Sequence, residues 1–193
     1  MQALSYKIII TGGPGFGKSS IISALENRGF LVFHEVSRQI ISRQISEAGD
    51  ILPWRNHTAF HHTVWQQRLF QFEQASGLCF FDRGLPDSVA YLMADNIPVP
   101  KQHANSPVLK SYYPTVFITP PWPDIFHNDS ERKESFDKAV HIHTQLTNLY
   151  AQLGYTCTEI PLGNIMQRVD FVLKYLAEMQ IPIVNPTSHA QHP

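Results

Sequence analysis

Residues Gly12-Gly13-Pro14-Gly15-Phe16-Gly17-Lys18-Ser19 match the pattern G-x-x-x-x-G-K-[ST]. Glycines at these positions let consecutive backbone N–H groups turn inward around an anion. A helix beginning at Lys18 would add its partial positive charge. The Lys18 ammonium has the length to reach β- and γ-phosphates, and the Ser19 hydroxyl is a ligand for Mg²⁺. The pattern follows the apolar run Ile8-Ile9-Ile10 and precedes Ile21-Ile22, so it lies between a strand and a helix as the chemistry requires. Gly12 through Ser20 are therefore candidate nucleotide contacts.

Three more charged groups stand where a phosphate would need them. Asp82 ends the apolar run Leu78–Phe81, which sets a carboxylate at the edge of a sheet where it can bind Mg²⁺ with Ser19. Arg83 follows, a cation suited to phosphoryl charge. Glu35 closes the run Phe30–Phe33. It can accept or orient the proton of an attacking hydroxyl, or it can be a surface carboxylate paired with Arg38. Arg38 in turn can bind an acceptor or serve only as that partner. Arg132, within "NDSERKES", suits a lid that closes over phosphates, with Lys133 the alternate cation. The same run also reads as a solvated helix start.

Ten histidines raise the question of a metal. His57 and His61 stand i, i+4 and share a helical face, with His62 adjacent, but no Cys or carboxylate joins them at a recognisable ligand spacing. The sequence therefore predicts no zinc site. It also has no G-x-S-x-G nucleophile elbow, which removes a hydrolase of that kind. Trp54, His57, Phe60 and Trp65 form an aromatic stretch that can wall an acceptor pocket or pack a helix into the core.

The elements that must carry these groups alternate. Strands are predicted at 6–11, 30–33, 78–81, 115–118 and 155–160. Helices are predicted at 18–28, 37–48, 57–75, 86–94, 135–153 and 164–179, and a loop at 96–107. Alternation of this kind predicts a three-layer α/β fold, a five-stranded parallel sheet flanked by helices, with right-handed crossovers. A single domain spans 1–180, with a lid at about 122–135 and a loose tail over 181–193.

Composition agrees with this frame. The chain has 193 residues, of which 43% are hydrophobic and 16% charged, enough for one substantial core. Fifteen basic residues against sixteen acidic ones provide no net field for nucleic acid. No apolar run is long enough for a membrane span, and no leader pattern opens the sequence, so a cytoplasmic location is expected. Cys79 and Cys157 are expected as reduced core thiols.

The chain resembles a compact P-loop family of AAA domains that includes nicotinamide riboside kinase domains of the NadR type. The likeness runs from Lys7 to about Leu173. It rests on "GGPGFGKSS", "FHEVSRQII", "FFDRGLPDSVAYL", "VFITPPWPDIFHNDSERKESF" and "LGYTCTEIPLGNIMQRVDFVL". It implies a P-loop NTPase fold close to nucleoside kinases. Glu35 would contact the acceptor hydroxyl, Asp82 with Arg83 would serve metal and phosphate, and Arg132 would clamp from the lid. Leu162 and Gly163 would lie near the nucleotide base. Phe16 departs from the small residue usual at its position, which a backbone cradle should tolerate. After the α/β core no room is expected for the helical second domain of ring-forming AAA machines, so ring ATPase activity is not expected.

Two functions follow as expectations. One is a Mg²⁺-dependent kinase that uses ATP, or GTP, and transfers the γ-phosphoryl group to a nucleoside- or nucleotide-like acceptor held by Glu35, Arg38 and Trp54. The other is a nucleotide-dependent switch with slow hydrolysis and no small-molecule acceptor. The Asn-Lys-x-Asp element of Ras-type guanine readers is absent, which weakens the GTP form of the second.

Overall fold

The computed structural model describes residues 5–126 and 134–183. Five strands form one parallel sheet: β1 (Tyr6–Thr11), β2 (Leu31–Phe33), β3 (Leu78–Asp82), β4 (Thr115–Ile118) and β5 (Thr156–Glu159), in the order β2-β3-β1-β4-β5. The helices are α1 (Lys18–Asn27), α2 (Val36–Ser46), α3 (His57–Gln74), α4 (Leu85–Ala94), α5 (Lys101–Ala104), α6 (Phe136–Gln152) and α7 (Ile165–Glu178).

The isoleucine run in β1 shows how the layers are built. Successive strand side chains point to opposite faces. Ile9 joins Phe81, Val116, Leu85 and Ile142 on one face, while Ile8 and Ile10 join Phe80, Phe117, Ile21, Leu25 and Val172 on the other. All three isoleucines are fully buried, as expected of a central strand covered on both sides. Each contributes roughly 1.5–3 kcal/mol through burial. A smaller cluster of Val36, Ile40, Ile41, Leu52, Phe60 and Val64 fastens α2 to α3.

Cys79 lies in β3 and Cys157 in β5, with β1 and β4 between them. Three strand spacings separate them by about 14 Å, twice the reach of a disulfide. Both are free, and burial pushes the Cys79 thiol up to about 12.

Two local expectations change. The helix expected from residue 37 begins at Val36, and the carboxylate of Glu35 before it binds the Arg83 side chain rather than capping the helix. That helix stops at Ser46, Ala48 follows with φ of 52°, and the Gln44 side chain accepts the Ile51 N–H at 3.0 Å. The 96–107 segment, expected as loop, contains α5, where His103 is buried and stacks on Trp65 at 3.9 Å. Among the described residues no helix is long and apolar enough to cross a membrane.

Candidate active site

Parallel strands deliver the candidate groups to one sheet edge. The β1–β3 register pairs Ile10 with Asp82, so the turn after β3 lies beside the turn after β1. β2 pairs Phe33 with Phe81, which brings Glu35 to the same place.

Gly12–Ser19 wraps the start of α1. Gly12 and Gly17 have φ of 134° and 77°, the region that favours glycine. A Cβ on Gly17 would strain a backbone at positive φ and, standing 2.6 Å from Arg168 Nη1, would push that guanidinium aside. Lys18 Nζ donates to the Gly13 carbonyl at 2.7 Å. Arg168 donates to the Phe16 carbonyl at 3.3 Å and stacks over Trp122 at 5.4 Å. Phe16 is fully buried against Phe126, Phe136 and His143, with ring centroids 6.4, 5.9 and 6.0 Å away. The residue that looked merely tolerated anchors the loop to α6.

Asp82 Oδ2 accepts the Ser19 hydroxyl at 3.0 Å, while its Oδ1 is buried without a hydrogen-bond partner among the described residues. Burial, with Glu35 nearby, raises its pKa against the pull of Lys18 and Arg83. A buried carboxylate oxygen that lacks a donor, beside a hydroxyl, matches the hard-oxygen set that Mg²⁺ takes.

Glu35 sits 2.9 Å from Arg83 Nε and 3.9 Å from Arg38 Nε. Burial alone would raise its pKa, but the Arg83 guanidinium, the Lys18 ammonium and Arg68 override that and hold it at about 2. Arg83 is itself buried, with φ of 75°, a backbone conformation that costs about 1–3 kcal/mol outside glycine. Its Nη1 donates to the Gly12 carbonyl at 2.9 Å and to Asp87 Oδ1 at 3.3 Å, and its guanidinium lies over the Tyr91 ring at 5.0 Å. Asp87 also accepts from Thr11, Tyr150 and the Gly84 N–H.

The phosphate loop stands between two cavities. The smaller, about 170 Å³, is lined by Pro14, Glu35, Arg38, Arg68, Arg83 and Tyr91 among others. The larger, about 870 Å³, is lined by Gly15, Gly17–Ser20, Trp122, Gly163, Met166 and Arg168 among others. Arg38 borders both. Phe60 lines the smaller cavity, but Trp65 packs in the core. Trp54 is half exposed and borders neither cavity, although Pro53 beside it does. Gly163 reaches the larger cavity, whereas Leu162 is exposed and does not line it. Arg132 and Lys133 lie outside the described residues, as does half of the expected lid, residues 127–133.

Sequence reasoning missed Arg68, Asp87, Trp122 and Arg168. Asp87 had a signal, since it stands three residues after Gly84 in a capping box. Arg68 had one in its spacing, four residues after Val64 and eight after Phe60, which sets it on the buried face of α3.

Residues 7–168 match the family model described as an AAA domain, and the chain belongs to that family. No curated protein matches the sequence. Among solved structures, the chain is similar to the deoxyadenosine kinase of M. mycoides with dCMP and dCDP (TM-score 0.66, 17% identity, 89% of this chain and 99% of that one). It is similar to the shikimate kinase of Acinetobacter baumannii with shikimate (0.59, 14%, 92% and 96%). A third similar structure is the thymidylate kinase of Candida albicans (0.58, 13%, 93% and 94%). At these identities the likeness is one of fold: the three-layer P-loop kinase-like arrangement expected from the sequence.

Proposed function

We propose that this member of the AAA-domain family is a Mg²⁺-dependent small-molecule kinase. It takes ATP, with GTP the alternative donor, and transfers the γ-phosphoryl group to a hydroxyl of a nucleoside- or nucleotide-like acceptor. The observation that carries this reading is the phosphate loop standing between two cavities, with Glu35 and Arg83 on the far one. A switch needs only the nucleotide cavity. A kinase needs a second one, within reach of the γ-phosphate. The kinases with the same fold support the reading.

The nucleotide would occupy the larger cavity, its base toward Trp122, Gly163 and Arg168, and its phosphates on the loop with Lys18. Ser19 and Asp82 would hold Mg²⁺, which supplies charge neutralisation at the phosphate oxygens. The acceptor hydroxyl faces Glu35. The new bond joins its oxygen to the γ-phosphorus while the bond to the bridging oxygen breaks, and the nucleoside diphosphate leaves. A carboxylate held at about 2 is a weak base. Glu35 therefore orients the hydroxyl and receives the proton late, which suits a loose transition state. Arg83 acts mainly as a positioning residue, because its Nε fixes Glu35 and its Nη1 is bound to Gly12 and Asp87. Catalysis is then positioning plus electrostatics.

The test is incubation with labelled ATP or GTP against nucleosides, nucleoside monophosphates and vitamin-like alcohols. Label transferred to one of these supports the kinase. Nucleotide binding with transfer to none supports the switch.

A further inference from the structure

The histidine pair that lacked a third ligand in the sequence acquires one in the fold. His57 and His61 project from one face of α3, their Nε2 atoms 3.0 Å apart and ring centroids 4.2 Å apart. Asp95, at the C-terminal end of α4 and 34 positions beyond His61 in the chain, completes a group whose ligand atoms all lie within 4.8 Å of one another. All three residues line the smaller cavity. Two histidines at i, i+4 on a helix form a recurrent bidentate platform for zinc, and a carboxylate from elsewhere in the fold is a usual third ligand.

We propose that His57, His61 and Asp95 bind a borderline divalent transition-metal ion, with Zn²⁺ the expected occupant, whose open coordination position faces the smaller cavity. The donor set decides the class of metal. Two imidazoles and one carboxylate favour Zn²⁺ and its neighbours over Mg²⁺, which prefers oxygen ligands and octahedral geometry. Metal–ligand bonds of about 2.0–2.2 Å set tetrahedral ligand atoms about 3.4 Å apart. The imidazoles are already close to that, and Asp95, no more than 4.8 Å from them, closes any remainder by moving inward. Its partial exposure permits the movement.

The surroundings are compatible with a dication. Lys138 holds one oxygen of Asp95 at 2.6 Å and is itself tied to the Ala94 carbonyl at 3.1 Å, leaving the other oxygen for the metal. Arg68, on the same helix, opposes a cation. The cavity wall nevertheless carries Glu35, Asp95 and Glu134 against Arg38, Arg68 and Arg83, so its charges balance. Three protein ligands leave the fourth position to an oxygen or nitrogen donor of whatever occupies the cavity. That last role rests on the kinase reading; the metal site does not.

The test uses the full chain without a polyhistidine tag, stripped with chelator and dialysed against Zn²⁺ in the absence of nucleotide and acceptor. Bound metal is counted by elemental analysis, and Co²⁺ substitution reads the geometry through its visible bands. The wild type should bind one equivalent per chain in competition with excess Mg²⁺. His57→Ala/His61→Ala should lose that equivalent, and Asp95→Asn should weaken it at least about tenfold. Retained thermal midpoint and nucleotide affinity establish that each variant is folded, and His61→Gln replaces the double variant if it is not. Absence of stoichiometric binding by the wild type overturns the site, as does equal binding by wild type and variants, which would assign the metal to other histidines. Because no transfer is measured, failure here leaves the kinase reading standing, and failure of transfer leaves the metal site standing.

Discussion

The two sides of the phosphate loop are built differently. The nucleotide side depends on backbone: glycines with positive φ, N–H groups at the start of α1, and one contiguous stretch from Gly12 to Ser20. The acceptor side depends on side chains gathered from α2, α3, α4 and the turns after β2 and β3. Its charges are interlocked, so that Glu35, Arg83 and Asp87 hold one another, with Arg83 and Asp87 buried and Glu35 at the cavity wall. The first kind of site touches the rest of the fold at few points, chiefly where Phe16 packs on α6 and Arg168 reaches the loop. The second fails as a unit, because removing Arg83 takes the guanidinium from both carboxylates and leaves Asp87 to hydroxyls and an N–H, and Glu35 to the longer Arg38 contact.

Breaking the interlock should produce the largest effect. Arg83→Met strands Glu35 and Asp87 and should cost about 3–5 kcal/mol of stability, read from urea unfolding. A loss below about 1 kcal/mol would mean that the cluster is not a unit and that the contrast is overstated. Next comes Phe16→Ala, which empties the space between the loop and α6 and should cost about 3 kcal/mol. It should also weaken nucleotide binding, measured by calorimetry. Unchanged affinity would show that the cradle needs no anchor and is as self-sufficient as its motif reads.

Glu35→Gln separates the two sides functionally. Transfer should fall about 10²–10³-fold while nucleotide affinity stays nearly constant. Transfer at the wild-type rate would remove Glu35 from the reaction. The smallest effect is in pH. The folded pKa of Glu35 is depressed from 4.5 to about 2, so its stabilising contribution is fully present above about 4.5 and is lost as pH falls through 2. Stability measured from pH 7 to 5 should therefore be insensitive to Glu35→Gln in its slope, and a steep difference in that window would contradict the buried pairing.

The same contrast explains what could be read in advance. β1, β3 and β4 were legible because a central parallel strand buries both faces and so reads as an unbroken apolar run. Asp82 and Glu35 were legible as carboxylates at the ends of such runs. The partner of Arg68 was not, since its place on the buried face of α3 carries no mark of the Ser88 hydroxyl, 2.7 Å away, that receives it. The metal ligands divide along the same line. His57 and His61 are set together by helical geometry alone, whereas Asp95 reaches them only because α4 ends beside α3.

What the sequence by itself determined was local: where strands end, where a helix begins, and the phosphate cradle, because backbone conformation and i, i+4 spacing depend on neighbours in the chain. What only the tertiary structure decided was the company these groups keep. Strand order β2-β3-β1 carries Glu35 to Arg83. Burial and the opposing guanidinium then set which form of the carboxylate persists, and Phe16 becomes an anchor only when α6 packs over it. Those outcomes depend on distances through space between residues far apart in the chain, which local sequence pattern does not encode.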